Sequence, residues 1–234
     1  MPNGESESGT GQLQRRAAIK LQELSGRVVE RGVGPLQGSV EYAEDRLRRA
    51  RRNGRSDEQA REAAIRRIVR EAVGAAGTAG LVTGLGGLVA MPATVPANAI
   101  SNFLINARMV GAIAYLRGYS PTDSHVQTII QLVVAGVGIE NMATKFGVEV
   151  GKQAAQKVAI KAAWCAIEAV PVVILDEVGI QAGYLLVVRF GTSRAAKALW
   201  KMVPVLGGLA GGAVDASFTR ATGTLAMKAF PRDI

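Results

Sequence analysis

Three asparagines four residues apart, Asn98, Asn102 and Asn106, are the first pattern in this sequence with the types and spacing to do chemistry. On an α-helix they share one face, because side chains at i and i+4 stack above one another. The surrounding sequence is apolar, so carboxamides buried there must find donors and acceptors. Such a ladder either fixes helix register or lines a polar pocket. Asp215 and Thr219 lie far along the chain on a face of small residues with Gly208, Gly211 and Gly212, where a neighbouring helix comes close. A buried carboxylate in that position needs a counter-charge or several donors, and Arg108 is the counter-charge to expect. Asn98, Asn102, Asn106, Arg108, Asp215 and Thr219 are therefore the candidate polar cluster, with structural packing as the alternative to a functional pocket.

Other chemistry is sparse. His125 and Cys165 are the only histidine and cysteine, which leaves no recognisable zinc site and no intramolecular disulfide. Within AAWCAIEAV, Cys165 reads as a small buried hydrophobe. There is no G-x-S-x-G elbow, and TGLGGL lacks the GK[ST] ending of a phosphate-cradling loop. No catalytic residue, metal or cofactor is assigned. The segment EDRLRRARRNGR (44–55) carries Arg46, Arg48, Arg49, Arg51 and Arg52. Few aromatics accompany them and no nucleic-acid module is visible, which disfavours a nucleic-acid partner. The stretch is either a solvated charged face or a basic amphipathic helix suited to an anionic membrane surface. The formal charge is +9, and residues 1–70 hold 15 of the 28 Lys+Arg and 10 of the 19 Asp+Glu.

The elements that must position these groups read as helices. Residues 1–10 form a polar tail. Leu13, Ala17, Leu21, Leu24 and Val28 recur at helical steps from Gln12 to about Arg31, where Gly32, Gly34 and Pro35 break the pattern. A second helix is expected from Leu36 to Arg52 and ends at Asn53-Gly54. Ser56 and Gln59 have capping-box spacing and start a third. Positions 72–107 contain no charged residue. They read as two apolar helices of roughly 18–22 residues each, near bilayer-spanning length, joined by the turn MPATVP. Gly77, Gly80, Gly84 and Gly87 share one helix face. Each glycine costs about 1 kcal/mol against alanine, so a face of four implies a close helix–helix contact. Gly207/Gly211 and Gly208/Gly212 repeat that spacing.

Farther on, Ser120-Pro121 is expected to open a helix, and Glu140 to Ala169 is amphipathic. Asp176-Glu177 interrupts the apolar run 171–190, and the last helix runs from about Val205 to Phe230. No strand alternation is visible. The sequence is thus all-α: a glycine-rich multi-helix bundle with a central apolar helical hairpin. It divides into a disordered tail (1–10), basic N-terminal helices (11–55) and a helical domain (56–234).

Two blocks of this domain carry a resemblance. AGLVTGLGGLVAMPATVPANAISNFLINARMVGAIAYLRGYSPTD (79–123) and MVPVLGGLAGGAVDASFTRATGTLAMKAF (202–230) are similar to the EcsC family of bacterial proteins. The pattern departs at Asn98, where the family often has an acid. The resemblance implies a helical, membrane-associated bacterial protein and supplies no reaction. The expected function is therefore a non-enzymatic membrane-associated role on the cytoplasmic side of the cell membrane, or in the cytoplasm. One alternative is a soluble helical module that binds a protein or nucleic-acid partner through the arginine-rich helix. The other is a hydrolase with a pocket around Asn102, Arg108 and Asp215. A protein partner and a homo-oligomer remain open.

Overall fold

The computed structural model describes residues 9–77, 97–138, 156–191 and 207–232. Among them are eight helices and one two-stranded hairpin. In chain order these are α1 (Gly9–Glu30), β1 (Gly32–Val33), β2 (Leu36–Gln37), α2 (Ser39–Arg51), α3 (Asp57–Gly77), α4 (Ala97–Leu116), α5 (Ser124–Val134), α6 (Gln156–Glu168), α7 (Val172–Gly191) and α8 (Gly207–Ala229). The fold class is all-α.

Local chemistry explains where the helices start. At α3 the Ser56 N–H donates to Gln59 Oε1, and the Gln59 N–H donates to Ser56 Oγ, both at 3.3 Å. This reciprocal box satisfies two first-turn donors. Two starts differ from the sequence reading. The helix expected from Leu36 begins at Ser39, because Gly32 (φ +84°) and Gly34 (φ +56°) fold the chain into a hairpin that pairs Val33 with Leu36. A Cβ on Gly32 would stand 2.1 Å from the Leu36 carbonyl oxygen, so only glycine fits. The helix expected at Ser120 begins at Ser124. Asp123 is its cap, accepting from the N–H groups of His125 (2.9 Å) and Val126 (3.1 Å).

α4 is the axis of the molecule and packs against α1, α2, α3, α5 and α8. From Ile100 to Ala114 every residue except Arg108 is buried. α4 is thus enclosed on every side, Ser101, Asn102 and Asn106 included, and its neighbours place it in the core. At 20 residues α4 has the length expected of the second helix of the apolar hairpin. No helix among the described residues is long and apolar enough to cross a membrane. The turn MPATVP, together with Gly80, Gly84 and Gly87, lies outside the described residues. Gly77 is the last residue of α3 and is exposed. Asp176 and Glu177 both face solvent on α7.

Close approach through glycine occurs on α4 and, at the four-residue spacing of Gly179 and Gly183, on α7. A Cβ on Gly183 of α7 would stand 2.6 Å from the Ala18 carbonyl oxygen of α1, and one on Gly111 of α4 would stand 2.5 Å from Ser39 Oγ of α2. Backbone cannot rotate aside as a side chain can. Gly183→Val is therefore expected to destabilise the fold by about 1–3 kcal/mol through overpacking. Gly26→Ala on α1, where nothing lies within 4 Å, should raise stability by up to about 1 kcal/mol. Urea unfolding of the two variants checks the contrast, and equal effects would show that the α1–α7 contact is looser than this geometry.

Toward the C-terminus, α6 buries Ile160, Ala163, Trp164 and Ile167, an uninterrupted stripe at three- and four-residue steps. Cys165, expected in the core, is exposed, because it lies about 100° round the helix from Trp164. Trp164 stacks on Tyr119 (ring centroids 4.7 Å apart) and meets Phe230 edge-on at 5.9 Å. Its indole N–H donates to the Ala229 carbonyl at 2.8 Å. This knot ties α6 to the end of α4 and the end of α8.

Candidate functional site

Two polar constellations flank α4, one on each side. The first faces α8. Asn106 is fully buried, and its Nδ2 donates to the Asn102 carbonyl (2.8 Å), to Asn102 Oδ1 (2.5 Å) and to Thr219 Oγ1 (3.2 Å). The Thr219 hydroxyl, also fully buried, donates to Asn102 Oδ1 at 3.4 Å. Asn102 Nδ2 and Asn106 Oδ1 are buried and have no hydrogen-bond partner of good geometry. Asp215 sits one turn before Thr219 and is half-buried. Burial raises its carboxyl above the usual range, opposed only by the nearby Asn102 amide. The structure thus brings Asn102, Asn106, Thr219 and Asp215 together. Asn98 lies in the first turn of α4 with its side chain outside the described residues, and the packing of Gly208, Gly211 and Gly212 in α8 lies outside them too.

Arg108 is not part of this group. Residues two apart on a helix point about 200° apart, so a helix that aims Asn106 at α8 sends Arg108 the other way. Its guanidinium carbon stands 4.2 Å from the ring centroid of Tyr42 on α2. The expected Arg108–Asp215 pairing is therefore replaced by a cation–π contact, and Asn102, Arg108 and Asp215 do not converge on one pocket.

The second constellation lies where Arg108 points, between α2 and α3. Glu71 is its hub. The Tyr42 hydroxyl, Arg46 Nε and Arg67 Nε each donate to the Glu71 carboxylate at 2.8 Å. Burial alone would raise this carboxyl, but the hydrogen bonds from Arg46, Arg67 and Tyr42 outweigh it and bring it down to about 2. Burial, and then the bond to Glu71, pushes the Tyr42 hydroxyl up to about 12. Arg46 also stands against the Tyr42 ring, at 4.5 Å. Among the five arginines of α2 and its end, Arg46 points inward. Arg48, Arg49 and Arg51 are solvent-exposed and pair with Glu44, Asp45 and Asp57, and Arg52 is exposed. Sequence reasoning missed Tyr42 and Glu71, although the four-residue steps Tyr42–Arg46 and Arg67–Glu71 were present.

Among the described residues, no three His, Cys, Asp or Glu side chains lie close enough to hold a metal ion. His125 Nε2 is 3.3 Å from the Val170 carbonyl, a contact that joins α5 to the start of α7.

Compared with curated proteins and with solved structures, the chain finds no match. The family model of the EcsC protein family matches residues 57–232, beginning at the first residue of α3. The residues ahead of it form α1, the hairpin and α2, which pack into the same core. With most of its length matched by that model, the chain belongs to the EcsC protein family.

Proposed function

We propose that this protein is a non-enzymatic helical protein that associates with an anionic membrane surface through its α2–α3 edge, on the cytoplasmic side of a bacterial cell membrane. The observation that carries the reading is the number of exposed arginines along α2 and α3. Arg48, Arg49, Arg51, Arg66 and Arg67, on two helices packed side by side, have side chains between 47% and 65% exposed. Residues 39–77 contain ten arginines against seven carboxylates. The ion pairs these arginines make at the surface are worth little in water, so lipid phosphates can compete for the guanidiniums. The burial of α4 favours surface attachment over a span by that helix. The separation of Arg108 from Asn102 and Asp215 weighs against a hydrolytic pocket built from the three.

Vesicle flotation tests the proposal. The protein should float with phosphatidylcholine vesicles containing phosphatidylglycerol and not with phosphatidylcholine alone, and the binding should fade as salt is added. Each surface arginine contributes about 1 kcal/mol. The triple variant Arg48→Gln, Arg49→Gln, Arg66→Gln should therefore bind roughly 100-fold more weakly. Failure to float with anionic vesicles, or equal flotation with neutral ones, overturns the reading.

A further inference from the structure

The geometry points to a phosphate-binding site built on Arg108, with Arg46 also against the ring of Tyr42. It deepens the surface-binding reading, and rests on that reading only for the source of the phosphate. Arg108 is only partly exposed, and its Nε is buried without a partner. Among the described residues its guanidinium donates no hydrogen bond and lies within ion-pair distance of no carboxylate. A guanidinium carries five donors and no acceptor, so a half-buried one normally meets an acid. The nearest acid is already occupied, because Glu71 takes bonds from Tyr42, Arg46 and Arg67. Asp45, the other acid here, is shared by Arg46, Arg48 and Arg49. The chain linking Glu71 to Arg108 has no charged residue with which to supply another.

The charge left over suggests the ligand. Arg46, Arg48, Arg49, Arg67 and Arg108 stand with three carboxylates, Glu44, Asp45 and Glu71, which leaves two positive charges uncompensated. A phosphate monoester dianion matches that charge, and guanidinium forks match its oxygens in pairs. The Tyr42 ring holds Arg108 at 4.2 Å and Arg46 at 4.5 Å, so both are positioned before any anion arrives. Tyr42 and Arg46 precede the family-matched residues while Glu71 and Arg108 lie within them. The site is therefore shared between the family-matched residues and the helix ahead of them.

Two probes distinguish a free phosphate from a lipid headgroup. In the first arm, calorimetric titration of the full chain with inorganic phosphate, at constant ionic strength, should show binding that Arg108→Gln weakens roughly 10- to 100-fold with the helical circular dichroism unchanged. Should that variant fail to fold, Arg108→Lys serves, since it keeps the charge, loses the fork and should lose most of the affinity. In the second arm, flotation with phosphatidylcholine vesicles containing phosphatidic acid should weaken in Arg108→Gln and be competed by inorganic phosphate. Phosphate binding that depends on Arg108, with vesicle binding indifferent to it, upholds the site with soluble phosphate as its source. Vesicle binding that falls only with the Arg48, Arg49 and Arg66 substitutions, while Arg108→Gln titrates like the parent protein, upholds the surface reading and overturns the site. No phosphate binding by the parent protein overturns the site outright.

Discussion

Trp164→Ala is expected to lower the unfolding free energy by about 3–5 kcal/mol, the range for removing a large buried aromatic. For a chain of this size that is a fall in melting temperature of roughly 10 °C. The side chain is 4% exposed, so nearly all of its transfer free energy is at stake. Three contacts are lost together: the stack on Tyr119, the edge contact with Phe230 and the indole N–H bond to the Ala229 carbonyl. No neighbour can fill the gap, because Tyr119 is itself held by its hydroxyl bond to the Pro231 carbonyl at 3.0 Å. Trp164→Phe separates packing from hydrogen bonding. It keeps a ring and leaves the Ala229 carbonyl without the indole donor, so it should cost about 1–3 kcal/mol. Thermal and urea unfolding of both variants check the order. An alanine variant within about 1 kcal/mol of the parent would mean that α6 is not docked through this residue.

The features that could be read directly from the sequence are those decided within one turn or one face of a helix. The Ser56–Gln59 box needs only a hydroxyl, an amide and a spacing of three, and it forms as written. The stripes of α1 and α6 follow from helical period alone, with Ala17, Leu21, Leu24 and Val28 buried on one and Ile160, Ala163, Trp164 and Ile167 on the other. Leu36 misled because it is buried as a strand residue just as it would be on the α2 stripe, so period cannot separate the two. The competing signal was the Gly32–Gly34–Pro35 turn, read as a simple break and not as the bend of a hairpin.

The relation between helices was harder to read. Spacing shows which residues share a face of their own helix, and says nothing about which helix that face meets. Hence Asn102, Asn106 and Thr219 could be grouped, while Arg108 could not be excluded from their company until the packing of α2 and α3 against α4 was known. The charge-free run had a related ambiguity, since an all-round apolar helix has the same composition in a protein core as in lipid. Close approach was sought in glycine repeats. Among the described residues it appears at Gly111 and at the four-residue pair Gly179 and Gly183, which lies outside the stretches singled out.

Asn106→Leu is expected to cost about 2–4 kcal/mol, and the way that cost is recovered tests what the ladder is for. The leucine has room for its volume but no N–H. The buried Asn102 Oδ1 then keeps only the long 3.4 Å bond from the Thr219 hydroxyl, and Asn102 Nδ2 keeps only its poorly directed approach to Asp215. Leaving buried polar atoms unsatisfied costs about 1–3 kcal/mol each, whereas replacing both partners with apolar groups of similar shape is nearly neutral. If the ladder only sets the register of α4 against α8, the triple variant Asn102→Leu, Asn106→Leu, Thr219→Val should therefore unfold within about 1 kcal/mol of the parent. Asp215 supplies an internal check. The Asn102 amide is the one group that opposes the effect of burial on it, so removing that amide should drive its carboxyl higher still, measurable by carbon-detected NMR titration. A single Asn106→Leu variant as stable as the parent would show that the carboxamide is not part of a buried network, and the polar face of α4 would then need an explanation other than helix register.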